Sequence, residues 1–172
     1  FPAALAKAGH LKKLKKILKM LGVDVKIFIQ RISAPSIKLA LKESQRDKLV
    51  ERLRKIEPDI SRQYSHTTEF NDYWELKLRG QHAFQCSIML KAIEGFSGDR
   101  LTVVDIGDSA GTHMRYLRDL SKDRFQLNTI SVNLDPIAVE KIKSRGQEAI
   151  LCRAEELNFE NNGDINLFTT FQ

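Results

Sequence analysis

The sequence predicts an α/β fold in which helices flank a parallel sheet, and three observations indicate it. Short apolar runs rich in β-branched residues lie at 101–106, 125–134, 149–152 and 165–171, as expected of buried parallel strands. Segments with helical spacing separate the first run from the second and the second from the third. Glycines interrupt the chain directly after the first run, as a strand-to-helix turn requires. The repeated order of strand, helix and strand predicts right-handed crossovers within one sheet.

Composition is that of an ordinary globular protein, with 172 residues, 42% hydrophobic and 29% charged. No apolar run reaches the length of a membrane span, and lysines interrupt the N-terminal apolar residues, unlike a signal peptide. Cys86 and Cys152 form no CxxC pair, and the four histidines are scattered. We therefore expect reduced cysteines, no metal site and a cytoplasmic location, with peripheral membrane contact as a further expectation.

Basic residues are concentrated in the N-terminal third. Residues 1–60 contain 15 Lys and Arg against 6 Asp and Glu, whereas residues 61–172 contain 13 against 16. Such an asymmetry is typical of a separate module that meets an acidic partner. We therefore predict a basic, mainly helical N-terminal module at 1–60, followed by the sheet domain with its leading helices at 61–172.

Within the basic module, the spacing of leucines predicts a first helix over 3–21. Lysines occupy its other faces, so it could dock its apolar stripe, contact an anionic membrane or contact nucleic acid. The leucines of the stripe are Leu11, Leu14, Leu18 and Leu21. Apolar residues then alternate with mainly polar ones over 23–30, which favours a short strand, with a continued helix as the alternative.

A second helix of the module is predicted from Pro35 and Ser36, with Ser36 as the N-cap, to a stop at Pro58. A loop at 59–66 places the domain boundary. Over 67–96 the pattern predicts one long helix or two shorter ones broken near Gly80. The candidate buried positions of this stretch are Phe70, Tyr73, Trp74, Leu76, Phe84, Ile88, Met89 and Ile93.

The helices that connect the strands have clear signals. The helix after Gly111 places Met114, Leu117 and Leu120 on one side. The next helix begins with Asp135 as N-cap and a proline at its first position, and it runs to Gly146. A polar loop at 160–163 precedes the last strand.

The turn after the first strand fits two known families. As Gly107-x-Ser109-x-Gly111 it resembles the nucleophile elbow of α/β-hydrolases. A hydrolase needs a base and an acid after the serine, and the only later histidine is His113, on the helix that the turn begins. No glycine-rich histidine segment lies upstream to build an oxyanion hole. A hydrolase using Ser109 is therefore the less favoured alternative.

Read as Asp105-x-Gly107-x-Ser109-x-Gly111, the same turn resembles the first motif of class I methyltransferases that use S-adenosylmethionine. Three later segments resemble the following motifs of that family in order. The segment 132–136, Val-Asn-Leu-Asp-Pro, is similar to the end of the second strand. The segments 152–159 and 165–170 are similar to the adenine motif and to the fourth strand. The resemblance covers about residues 80–172 and is more specific than the turn alone.

The resemblance implies a Rossmann-like sheet that binds S-adenosylmethionine and releases S-adenosylhomocysteine. It implies methyl transfer to an acceptor that we expect to be a small molecule, a glycan or a lipid-linked substrate rather than RNA. The cofactor-binding residues that it implies are Asp105, Gly107, Asp108, Ser109, Gly111, Asn133, Leu134, Ala154 and Glu155. The helices before the turn often cover the cofactor in this family, so the candidates to touch it are Tyr73, Trp74, Lys77, Arg79 and Gln81.

Departures from the family pattern keep a second function open. Ser109 stands in place of a glycine, Asn133 in place of the acidic ribose ligand, and Arg153 in place of an aspartate near the adenine. Each weakens binding by about 1 kcal/mol if one hydrogen bond is lost. The alternative is a degenerate domain that binds without catalysis. The family has a seven-stranded sheet and the pattern here predicts four strands, so we expect these residues to belong to a larger enzyme. A dinucleotide oxidoreductase is disfavoured because GxGxxG is absent.

Overall fold

The structure is a computed structural model that describes residues 16–17, 19–20, 22–61, 70–108, 110–124, 126–158 and 165–171. It confirms an α/β fold with a parallel sheet flanked by helices. The elements in chain order are α1 (Val25–Glu43), α2 (Asp47–Ile56), α3 (Asp72–Ala92), β1 (Arg100–Ile106), α4 (Thr112–Ser121), β2 (Gln126–Asn133), α5 (Pro136–Lys143), β3 (Glu148–Leu151), a 3₁₀ helix (Ala154–Glu156) and β4 (Leu167–Thr170).

The described strands form one parallel sheet in the order β3-β2-β1-β4. Val104 in β1 pairs with Ile130 in β2 on one side and with Phe168 in β4 on the other. The chain moves from β1 to β2 and β3 in one direction and then returns to the opposite side of β1. The strand order therefore reverses between β1 and β4, which is where open α/β sheets bind ligands, at the carboxyl ends of the strands.

A single hydrophobic cluster joins the helices that precede the sheet to one face of it. Leu53 from α2, Met89 from α3, Val103 from β1 and Leu117 from α4 are all buried within it. Helices from both sides of residue 60 therefore contribute to one core. The predicted boundary there stays a prediction.

The predicted strand over 23–30 is wrong, because α1 begins at Val25 and is helical through this stretch. Asp24 caps the helix, and its Oδ1 accepts from the backbone N–H groups of Lys26 at 2.7 Å and Ile27 at 3.3 Å. This cap bonds backbone N–H groups of the first helical turn, which have no partner within the helix. The alternative of a continued helix is the one that the structure supports.

The predicted start at Pro35 and Ser36 is also wrong. Pro35 lies inside α1 on its exposed side, where water can bond the carbonyl that the proline leaves free. Ser36 does not cap a helix, and its Oγ donates to the backbone oxygen of Ile32 at 3.3 Å. The helix ends instead near Gln45, which has a φ of 55°, so two helices replace the single one expected up to Pro58.

Helix α3 is continuous through Gly80, so of the two predicted alternatives the single long helix is the one that forms. A Cβ on Gly80 would lie 3.5 Å from Leu41 Cδ1, so the glycine allows α1 and α3 to approach closely. Phe84 and Ile88 were expected to be buried, but they are 51% and 44% exposed. The buried face of α3 instead carries polar side chains next to apolar ones, namely Arg79, His82, Gln85, Cys86 and Met89.

The connecting helices agree with the sequence. Met114 and Leu117 of α4 are buried, and Asp135 caps α5 by accepting from the backbone N–H of Ile137 at 2.9 Å. Of the predicted helix 3–21, residues 16, 17, 19 and 20 are helical, and the rest lies outside the described residues. The polar loop at 160–163 and most of the loop at 59–66 also lie outside them.

In the described part of the chain, no helix combines the length and the apolar character needed to cross a bilayer.

Candidate functional site

The turn between β1 and α4 is built on two glycines with positive φ and one buried aspartate. Gly107 has a φ of +94° and donates its N–H to the backbone oxygen of Val132 at 2.8 Å. Gly111, with a φ of +68°, is the N-cap residue of α4. Asp108 lies between them and is 5% exposed. The turn thus ties the end of β1 to the end of β2.

Asp108 occupies the N-terminus of α4 with its own carboxylate. Its Oδ1 accepts from the backbone N–H groups of Ala110 at 3.4 Å and Thr112 at 3.2 Å, and its Oδ2 accepts from that of His113 at 3.1 Å. These donors are the ones that bind anions at the starts of other helices. Asp108 is one of the predicted cofactor residues, and in the structure it has this capping role.

Asp105 lies near the carboxyl end of β1 and is 1% exposed. Its Oδ1 accepts from the hydroxyl of Thr169 in β4 at 2.6 Å, and its Oδ2 lies 3.3 Å from Nδ1 of His113. The other ring nitrogen of His113 lies 2.9 Å from Oε1 of Gln85 in α3. Both ring nitrogens face acceptor oxygens, an arrangement that the imidazolium form satisfies completely. A chain of polar groups therefore links β4, β1, α4 and α3.

Burial and nearby charge act in opposite directions on these groups. Burial lowers the pKa of His113, but the hydrogen bond to Asp105 and the nearby Asp108 outweigh it, so the pKa is raised. Burial raises the pKa of Asp108, although His113 opposes this effect. Next to them, burial and then the charge of His113 lower the pKa of His82 to about 3. Burial also raises the pKa of the Cys86 thiol, which makes it a poor nucleophile.

Asp105, Asp108 and His113 bring their possible metal-binding atoms within 4.8 Å of one another. The sequence predicts no metal site and gives no sign that these three residues meet. Backbone N–H groups point at both Asp108 oxygens, and a cation between them would meet the positive ends of those dipoles. Hydrogen bonds therefore account for this cluster, and we propose no metal for it.

Asn133 and Leu134 lie at the carboxyl end of β2, beside the turn. The amide Nδ2 of Asn133 donates to the backbone oxygen of Asp108 at 3.3 Å, and its Oδ1 accepts from the N–H of Asp135 at 2.9 Å. An aspartate, which has no N–H group, could not make the first of these bonds. Leu134 is 65% exposed.

Leu134, Ile137 and Leu151 form what we call the edge surface, since all three lie at the carboxyl edge of the sheet. Ile137 in the first turn of α5 is 76% exposed, and Leu151 at the end of β3 is 52% exposed and pairs with Asn133. Large apolar side chains that remain exposed together often mark a binding site. The edge surface borders the turn through Asn133.

The remaining predicted site residues differ in their placement. Ala154 and Glu155 lie in the 3₁₀ helix after β3, and Glu155 Oε1 pairs at the surface with Nη2 of Arg153 at 3.2 Å. Ser109 lies outside the described residues. The structure thus brings Asp105, Asp108 and Asn133 together around the turn.

Arg79 is one of the residues predicted to touch the cofactor from the helices before the turn, but its side chain does not face the candidate site. It is fully buried, and it donates to the backbone oxygens of Leu53 and Pro58 and to the hydroxyl of Tyr116. At the start of α3, Tyr73 contacts Trp74 edge to face at 5.6 Å between ring centroids, and Lys77 Nζ lies 4.7 Å from the Trp74 ring centroid. Gln81 is exposed.

Gln85 and Thr169 are site residues that the sequence analysis missed. Thr169 is the register partner of Asp105, so a correct alignment of β4 against β1 would have found it. Gln85 had no comparable signal, because its place depends on how α3 packs against α4.

We expect Gly111→Ala to destabilise the turn by about 2–3 kcal/mol, combining left-handed strain with a steric clash. The new Cβ would lie 2.5 Å from Oε1 of Gln147, whose Nε2 donates to the Gly111 oxygen at 2.9 Å. Urea unfolding measures the change. Gly146→Ala is the matched control, because Gly146 has a φ of +71° but a Cβ there meets nothing within 4 Å. Equal losses in the two variants would contradict the clash.

Comparison with models of known protein families, with curated proteins and with solved structures finds no match to this chain. The function must therefore be argued from the geometry.

Proposed function

We propose that this protein binds S-adenosylmethionine at the carboxyl edge of its sheet and transfers the methyl group to a nucleophilic oxygen, nitrogen or carbon of an acceptor. The observation that carries the proposal is the open backbone of Gly107. A Cβ built there would meet no described atom within 4 Å, and the turn follows β1, where the strand order reverses between β1 and β4. A cofactor can approach such backbone closely, at the ligand-binding end of an open α/β sheet.

The edge surface supports a place for a flat, weakly polar ring such as adenine. Leu134 follows β2 directly, and Ile137 lies one turn further along the chain; both are mostly exposed. A nucleobase that covers these side chains removes apolar area from water, at about 25 cal/mol per Å². In the proposed complex, Asn133 retains one amide hydrogen and one oxygen lone pair for the ribose.

The carboxylate of Asp108 favours a cofactor without phosphates over a dinucleotide. Backbone N–H groups at the start of α4 already donate to it. A pyrophosphate at this position would find its donors taken and would meet a buried carboxyl group. S-adenosylmethionine needs no such site, and its sulfonium supplies a methyl group with a good leaving group. The protein then has to align the acceptor with that methyl group in a site that excludes water.

A second candidate is a binding module without catalysis. It is favoured by the local contacts of Asn133 and Glu155, which use part of the hydrogen-bonding capacity that the cofactor would need. In this case ligand binding is weak, and methyl transfer is absent. Acceptors for the enzyme are a small molecule, a glycan or a lipid-linked substrate, in preference to RNA.

We expect titration calorimetry to detect both S-adenosylmethionine and S-adenosylhomocysteine, with dissociation constants from micromolar to millimolar. Leu134→Asp should weaken both by about tenfold or more, since it places a charge against the proposed ring. Ile88→Asp is the control, because Ile88 is 44% exposed on α3, outside the edge surface. An absence of heat at millimolar ligand would overturn the proposal, and binding without methyl transfer to any tested acceptor would favour the binding module.

A fluorophosphonate probe tests the hydrolase alternative. His113 has partners on both ring nitrogens, so a base for Ser109 would have to break the contact with Asp105 or Gln85. We therefore expect no covalent labelling. Labelling that disappears in Ser109→Ala would reverse this assignment.

A further inference from the structure

Helix α1 carries an exposed apolar stripe that the proposed cofactor site does not use. Ile29, Ile32 and Leu39, which we call the outer stripe, are 51%, 56% and 57% exposed. At 100° per residue they fall on one face of the helix, opposite the face that Leu41 buries against α3. The helix is therefore apolar on both sides, and in the described part of the chain only one of them is packed.

Basic side chains accompany the outer stripe. Arg31, Lys38 and Lys42 are exposed and lie by helical spacing between the outer stripe and the packed face, and Arg31 and Lys38 also line the groove between α1 and α3. Over residues 16–43 the sequence has six Lys and Arg against two Asp and Glu, and one of these acids, Asp24, caps α1. A surface with an aliphatic centre and a cationic flank is complementary to an anionic lipid bilayer.

Other partners fit this surface less well. A second copy that paired through antiparallel α1 helices would bring the same basic flank close to itself across the two-fold axis. Nucleic acid would use the cations, but the aliphatic side chains at the centre of the outer stripe offer its phosphates nothing. A bilayer uses both parts of the surface.

We propose that α1 lies flat on an anionic membrane, with the outer stripe in the acyl boundary and Arg31, Lys38 and Lys42 against the headgroups. No described helix is suited to cross the bilayer, so the contact is peripheral. This surface differs from the predicted membrane contact of the helix at 3–21, and it does not depend on the proposed cofactor.

Vesicle co-sedimentation tests the proposal with phosphatidylcholine alone and with phosphatidylcholine containing phosphatidylserine. The wild-type chain should bind the anionic vesicles, and binding should weaken as salt is raised. Replacing all three residues of the outer stripe with glutamine should reduce the partition coefficient at least about tenfold. Replacing Arg31, Lys38 and Lys42 with glutamine should reduce it by roughly fivefold for each cation, on the anionic vesicles only.

Matched controls distinguish binding through the outer stripe and its basic residues from nonspecific binding to vesicles. The apolar control combines Ile88→Gln with Phe168→Gln and removes two exposed apolar side chains outside α1. The charge control replaces three exposed lysines outside α1 with glutamine, namely Lys55, Lys122 and Lys143. Both control variants should bind the vesicles as the wild type does. Circular dichroism and urea unfolding check that each variant is folded. A third variant with glutamine at the five lysines of 12–19 should retain stripe-dependent binding.

The proposal is overturned if the wild-type chain does not bind anionic vesicles, or if the stripe variant binds as well as the wild type does. It is also overturned if binding requires only the lysines of 12–19. Sedimentation that shows a dimer abolished by the stripe variant, without vesicle binding, would assign the surface to a second copy. Calorimetry with S-adenosylmethionine is a separate measurement. The membrane proposal and the cofactor proposal can therefore fail independently.

Discussion

Arg79→Met is expected to lower the free energy of unfolding by about 3–5 kcal/mol, the range for removing one partner from a buried charged network. The guanidinium is fully buried, and its Nη2 donates to the Pro58 oxygen at 2.9 Å. Its Nη1 donates to the Leu53 oxygen at 3.2 Å and the Tyr116 hydroxyl at 3.1 Å. Methionine keeps much of the volume but removes the donor to the Pro58 oxygen and the Tyr116 hydroxyl, whereas the Leu53 oxygen keeps its bond from the backbone N–H of Glu57.

Arg79 also has an electrostatic partner, because its Nε lies 3.5 Å from Oε1 of the partly exposed Glu75. Urea unfolding at neutral pH measures the loss. Arg52→Met is the control, since Arg52 is exposed on α2 and its replacement should change stability by less than about 0.5 kcal/mol. If Arg79→Met is as stable as the control, the guanidinium does not hold α2, α3 and α4 together.

Protonation of His82 should lower the free energy of unfolding by about 3 kcal/mol as the pH falls from 6.5 to about 4, and the raised pKa of Asp108 should offset part of this loss. The side chain is 1% exposed, and burial together with the charge of His113 lowers its pKa from 6.5 to about 3. Between these two values the unfolded chain binds a proton that the folded chain excludes. The contribution is therefore complete above pH 6.5 and declines as the pH falls toward 3.

His82→Phe should flatten the pH dependence of stability by this amount while keeping ring contacts. The ring of His82 lies 5.6 Å from that of Tyr116 and 5.7 Å from that of His113, measured between centroids. Urea midpoints measured from neutral pH to about pH 4 give the difference, and His82→Gln should flatten the curve equally. Parallel curves for the wild type and both variants would show that His82 does not titrate in this range.

The local pattern of the sequence was sufficient for the sheet half of the fold. β1, β2 and the start of α5 depend on β-branched runs, glycine turns and an Asp-Pro cap, which act over a few residues. The same signals placed Asp105, Gly107 and Asp108 at the carboxyl edge. Local patterns failed over 23–30, where alternation resembled a strand, because both sides of α1 are apolar.

The network of buried polar side chains around Asp105 and His113 could not be predicted from the sequence. The contact between Asp105 and Thr169 joins residues 64 apart, and that between Gln85 and His113 joins residues 28 apart. Arg79 and His82 lie on α3, where helical spacing and hydrophobicity favoured Phe84 and Ile88 as buried residues. The transfer of an arginine or a histidine out of water is favourable only when partners from other elements are in place.

From β1 onward, the sequence by itself determined the order of strands and helices and the glycine turn at the carboxyl edge of the sheet. Tertiary structure alone decided which face of α1 is packed and which is exposed, that Asp108 fills the start of α4, and that Arg79 and His82 are buried. The physical reason is the distance along the chain over which the interactions act. Backbone conformation follows from neighbouring residues, whereas the burial and protonation of a polar side chain follow from groups that only folding brings near.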